Sequence, residues 1–145
     1  MKSLVKLFAF LFLLTATSCH AQKIVQRTAD AKKLEINKDQ FIGKPFKELL
    51  GQLVPKIKYA YGTPDNKSVG AIGGTYIKLF FVDKDESKKK IIHNEAPTGI
   101  TVRFKLEPKN TRKPMPLGGL DITSEELAKE YGDMIISDIY VSGKN

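Results

Sequence analysis

The sequence has one cysteine, Cys19, so no disulfide forms within the chain in any redox compartment. It has two histidines, and only His93 falls in the part that reads as a folded domain. A single histidine with no free cysteine beside it builds neither a zinc site nor a cysteine-based dyad. There is no G-x-S-x-G elbow to expose a serine nucleophile, and no pattern implies a cofactor. A second long apolar run is also missing. The unbroken one, L-F-A-F-L-F-L-L at residues 7–14, is too short for a membrane-spanning helix, which needs about 20 apolar residues.

That run has a specific setting. Lys2 and Lys6 precede it, and the small and polar residues Thr15, Ala16, Thr17, Ser18, Cys19, His20 and Ala21 follow. A positive start, a short apolar core and a small-residue end are the layout of a secretory signal peptide. Residues 1–21 are therefore set apart as an export signal, 22–38 read as a polar tether, and 39–145 as one domain. The 145 residues leave room for no more. The chain carries 24 Lys and Arg against 16 Asp and Glu, for a net charge of +8. Such a surface favours anionic partners, and export makes nucleic acid the least fitting of them.

The residues before Cys19 (Ala16, Thr17 and Ser18) resemble the lipobox of bacterial lipoproteins, although Ala16 stands where that pattern prefers leucine. The resemblance implies that Cys19 becomes the lipid-bearing first residue of a membrane-anchored protein. The other processing route is cleavage after Ala21, with Cys19 and Ala21 as its small residues, which yields a soluble exported domain.

Within the domain, Pro45 suits a first helical position. Phe46, Leu49, Leu50 and Leu53 then recur on one helical face until Pro55. Residues 56–61 alternate, with Ile57, Tyr59 and Tyr61 together. Residues 75–82 are apolar on both faces, as in a central strand. Residues 83–90 read as a charged turn, with Ile91 and Ile92 continuing a hairpin. Ile100, Val102, Phe104 and Leu106 alternate in a further strand, and residues 107–119 form a proline-rich connection. Thr123 and Glu126 form a capping box for a helix ending at Gly132. Residues 134–141 read as a buried closing strand, in which Asp138 is unexpected. Leu34 and Ile36 suggest a short edge strand. The expected fold is α+β, a mostly antiparallel sheet of four to five strands with two helices on one face.

Few of these residues carry chemistry. The segment D-K-D-E-S at 83–87 opens like a calcium loop but has Lys88 and Asn94 where such a loop needs glycine and glutamate. Gly70, Gly73 and Gly74 lead toward a strand, whereas phosphate loops lead into a helix. No metal ligand set and no catalytic residue emerges. The carboxylates Glu125, Glu126, Glu130, Asp133 and Asp138 keep open an enzyme acting on cell-wall or carbohydrate substrates, which needs two carboxylates roughly 5–10 Å apart. The residues chosen for binding are Lys56, Lys58, Tyr59 and Tyr61 in one strand, with Lys109, Arg112 and Lys113 in the proline-rich loop. The bland reading puts the tyrosines in the core and the lysines in water. The leading expectation is a small exported, non-enzymatic binding or accessory domain for an envelope protein or an anionic polymer. A toxin-blocking, immunity-type protein fits the same features.

Overall fold

The computed structural model describes residues 22–65, 74–107 and 111–143. The signal segment, Cys19, Gly70 to Gly73 and Lys109 lie outside the described residues. No helix among those described is long and apolar enough to cross a membrane.

Five antiparallel strands form one sheet: β1 (Tyr59–Gly62), β2 (Tyr76–Phe80), β3 (Gly99–Phe104), β4 (Leu120–Asp121) and β5 (Ile136–Ser142). Their order across the sheet is β4-β1-β2-β3-β5, which gives the α+β architecture its central β2. The period of two along each strand separates the faces. Ala60, Leu79, Ile100 and Val141 pair across one face, while Tyr59, Phe80, Gly99 and Ser142 pair across the other.

The first face carries the core. Helix α1 (Lys32–Ile36) lies against β5, and α2 (Phe46–Leu50) packs with α4 (Ser124–Tyr131). Phe46, Leu49, Ile77, Leu79, Ile100, Leu127 and Ile139 are fully enclosed between these layers, and Phe46 meets Phe104 edge-to-face at 5.2 Å. The capping box of α4 forms as the spacing predicts: Glu126 N–H donates to Thr123 Oγ1 at 3.2 Å, and Thr123 N–H donates back to Glu126 Oε2 at 2.8 Å.

Several expectations need correction. Residues 22–38 are not a tether. Val25, Ala31 and Leu34 are completely buried, and Val25 exchanges backbone hydrogen bonds with Gln52 and Val54. Leu34 and Ile36 lie in α1, not in a strand, because a buried residue three positions after Ala31 suits a helical face. Helix α2 is shorter than its apolar stripe, ending at Leu50, and Pro45 is its extended N-cap. Ile57 joins the core beside Ala60, whereas Tyr59 and Tyr61 face the other way. The closing strand β5 sits at a sheet edge, where α1 covers it and Lys32 Nζ donates to the Val141 carbonyl at 2.7 Å.

The largest correction is α3 (Lys84–Ile92), a helix where a charged turn and hairpin were expected. Asp83 caps it by accepting from Glu86 N–H at 2.8 Å. Asp85 and Glu86 occupy its first turn and Lys89 and Lys90 its last, which suits the helix dipole. Only Ser87 is buried along it, so capping and charge order, with no apolar stripe, make this helix.

Candidate functional site

Helix α3 stands beside the sheet face opposite the core, and together they enclose a cleft of about 310 Å³. Its floor is aromatic. Tyr59 and Tyr61 each stack on Phe80, with centroids 5.4 and 5.7 Å apart and planes inclined at 26°, and Tyr76 meets Tyr61 edge-on at 6.4 Å. Cross-strand aromatic pairs of this kind stabilise a sheet face. The proline-rich loop closes one end: Tyr59 donates its hydroxyl to the Gly118 carbonyl at 2.8 Å. Gly119, at φ +73°, passes so close to β1 that a Cβ would stand 2.4 Å from the Ala60 carbonyl oxygen. Only glycine fits there.

Lys78 lies across this floor. In the register it faces Tyr61 on β1 and Thr101 on β3. Its ammonium sits 5.4 Å from the centre of the Phe80 ring, a cation–π distance. Its stem runs over Gly99, where an added Cβ would come within 2.7 Å of Lys78 Cε. The missing side chain on β3 is what lets the lysine lie down. Among the described residues no carboxylate comes within 4 Å of its ammonium. Burial holds the Lys78 amine below its ordinary pKa, because a charge loses hydration there. Burial likewise raises the Tyr61 hydroxyl, with Tyr76 and Tyr59 adding to the effect.

From α3 come Lys84, Ser87, Lys88 and Ile91. Lys84 Nζ lies over the loop, 3.6 Å from where a Gly118 Cβ would be. Among the described residues the cleft thus gathers three lysines and no acidic side chain. Three other clefts are larger, at about 510, 560 and 400 Å³, but each mixes lysine with a carboxylate: Glu95, Glu125 or Glu48.

The residues chosen from sequence do not come together as one site. Tyr59 and Tyr61 reach the cleft floor, Tyr59 buried and Tyr61 half-buried. They are neither core residues on the helix side nor free aromatic rings. Lys56 and Lys58 are exposed, and Lys56 lines a different groove with Lys23 and Lys47. Arg112 is a structural clamp, bonding Glu107 through Nη1 and Asp133 through Nη2, the latter at 2.8 Å. Lys113 points to solvent, and its carbonyl accepts from the Tyr131 hydroxyl at 3.1 Å.

Lys78, Lys84 and Lys88 are not among the residues that the sequence singles out. Lys78 was visible as the lone charge in an otherwise apolar strand face, while the other two depended on recognising α3. Asp138 is explained: it accepts from Lys38 Nζ at 2.9 Å and from Ile139 N–H at 2.9 Å. Burial works against its ionisation, yet the bonds from Tyr140, Lys38 and Ile139 keep its pKa below the ordinary value. His93 is exposed at the end of α3. Among the described residues no group of three or more His, Cys, Asp or Glu is placed to hold a metal ion.

Comparison of the chain with protein-family models, with curated proteins and with solved structures gives no match.

Proposed function

We propose that this chain is a small exported protein of the bacterial envelope, anchored through Cys19 or released after Ala21, whose domain is a non-enzymatic binding module. The observation that carries the binding reading is the cleft under α3, where Lys78, Lys84 and Lys88 line an aromatic floor with no carboxylate among the described lining residues. A partly buried ammonium without a counter-ion is unfavourable for the free protein. An anionic partner supplies the missing charge where water screens it poorly.

The carboxylates fit this reading better than they fit acid–base chemistry. Asp133 is engaged with Arg112 and Asp138 with Lys38. The carboxylates whose pKa is displaced, Asp30, Glu126 and Asp138, all move downward, the opposite of what a general acid needs. The export half of the proposal stands on the opening 21 residues of the sequence.

Two measurements test the proposal. Mass spectrometry of the processed N-terminus reads the anchor: a diacylated start at Cys19 supports the lipoprotein form, a start at Gln22 the released form, and an intact Met1 refutes export. Retention of fractionated envelope material by the immobilised protein, compared with a K78Q/K84Q/K88Q variant, reads the binding. Equal retention by the two refutes the cleft as the contact surface.

A further inference from the structure

Resting on that reading, we infer that the cleft under α3 binds an acidic saccharide unit, a sugar ring bearing a carboxylate or phosphate. The ring lies beside Tyr61 and the anionic group meets the ammonium of Lys78. Three features of the site select this chemistry.

The first is sign. Apart from the tyrosines, every ionisable side chain lining the cleft is a lysine. Lys88 has only a loose contact with Asp85, 3.9 Å apart with both side chains well exposed, which holds it weakly. Lys78 is pulled down onto the aromatic floor, where a hydrogen bond to an anion is stronger than one made in open water.

The second is size and lining. A volume of about 310 Å³ is at the small end of ligand sites and suits a single ring. The half-buried Tyr61 lines the cleft from the sheet, and Ile91, 60% exposed, lines it from α3. A sugar ring has an apolar C–H face and polar edges. Its C–H face is attracted to the negative face of an aromatic ring, while its hydroxyls bond to tyrosine.

The third is position. The cleft lies on the face of the sheet, where the backbone groups of β1, β2 and β3 already pair with one another. An acidic peptide that binds by adding a strand requires a free edge, and the sheet's edges are β4 and β5, not the central β2 that carries Lys78. Recognition at this place must come through rings and charges, which favours the saccharide over the peptide.

The test uses the protein purified as the cell processes it, titrated by calorimetry at low and at physiological salt. The probes are an oligogalacturonate, a neutral maltooligosaccharide, a glutamate oligopeptide of matched charge, and inorganic phosphate. The oligogalacturonate is expected to bind, more weakly at higher salt, with the neutral sugar silent and the peptide and phosphate weaker. K78Q should lose roughly tenfold or more in affinity, the scale of one charge contact, while K113Q stays close to the unaltered protein. K78M, which keeps the stem over Phe80, controls for folding through its melting temperature. Tighter or equal binding of the peptide overturns the saccharide assignment, as does a silent oligogalacturonate. Unchanged affinity in K78Q overturns the placement in the cleft. If the protein ignores the oligogalacturonate yet retains envelope material in a manner lost in the triple lysine variant, the saccharide fails and the broader binding reading stands. If that retention does not respond to the lysines either, both fail.

Discussion

Arg112 in the proline-rich loop and Lys78 under α3 are both cations on a basic domain, and they are used in opposite ways. Arg112 is only 14% exposed and holds two carboxylates, Glu107 and Asp133, so its charge is consumed in fixing the loop. Lys78 is also partly buried, but its ammonium faces the Phe80 ring, 5.4 Å from its centre. One cation is neutralised within the protein, and the other has no carboxylate within 4 Å of its ammonium among the described residues. A count of basic residues in a sequence does not distinguish these two cases. The location of the counter-charge does.

The largest effect should come from the loop. Gly119→Ala forces a Cβ into the Ala60 carbonyl and the Tyr59 ring at a φ that disfavours alanine. A loss of about 2–4 kcal/mol is expected in urea unfolding. A loss below that of an ordinary surface change would show that the loop is not seated on β1. Arg112→Ala should cost about 2 kcal/mol, chiefly because two charge-assisted contacts, to Glu107 and Asp133, are lost together, whereas Lys113→Ala should change little. Equal values for the two would remove the contrast between clamp and cleft.

Asp83→Ala removes the cap of α3 and should cost about 1 kcal/mol. It should also weaken anion binding, because Lys84 and Lys88 ride on that helix. Lys78→Met has the opposite sign: replacing an unpaired, partly buried ammonium with an apolar chain should stabilise by about 0.5–1 kcal/mol while abolishing the anion contact. Stability and binding moving together in this variant would break the comparison.

The smallest effect is a pH dependence at each end of the scale. The folded Lys78 amine has a lowered pKa, so the unfolded chain binds more protons between the folded and unfolded values. Its contribution to stability therefore rises as pH climbs through that window. Asp138 is lowered, so its contribution is present above its unfolded value and fades as pH falls through the folded one. A ¹³C titration of the Lys78 side chain should show a midpoint below that of exposed lysines, moving upward when the anionic probe is added.

The sequence made visible those elements whose pattern is set by burial on one side. The alternation of Ile100, Val102 and Phe104 marked β3, and Thr123 with Glu126 marked the start of α4. Two helices escaped because they are not built that way. Helix α3 buries only Ser87, so no apolar period announces it, and its signal is the Asp83 cap with acidic residues ahead of basic ones. Helix α1 is a single short turn among charges, fixed by Ala31 and Leu34 packing on residues far along the chain. The two-residue β4 exists only through its pairing with Tyr59 and Ala60. The site was half legible. Tyr59 and Tyr61 stood out, but Arg112 looked available because Asp133, 21 positions away, could not be seen as its partner.

Gly99 gives the amine of Lys78 its berth. A Cβ at that spot on β3 would stand 2.7 Å from Lys78 Cε and 3.0 Å from Phe80 Cε1, so the stem would have to leave its place over the ring. On the proposed reading, the pull of this surface on anions is set by a residue that has no side chain, one strand away from the charge. Serine or alanine introduced there would, on the same reading, act on the anion contact through the Lys78 stem and the Phe80 ring that it presses against.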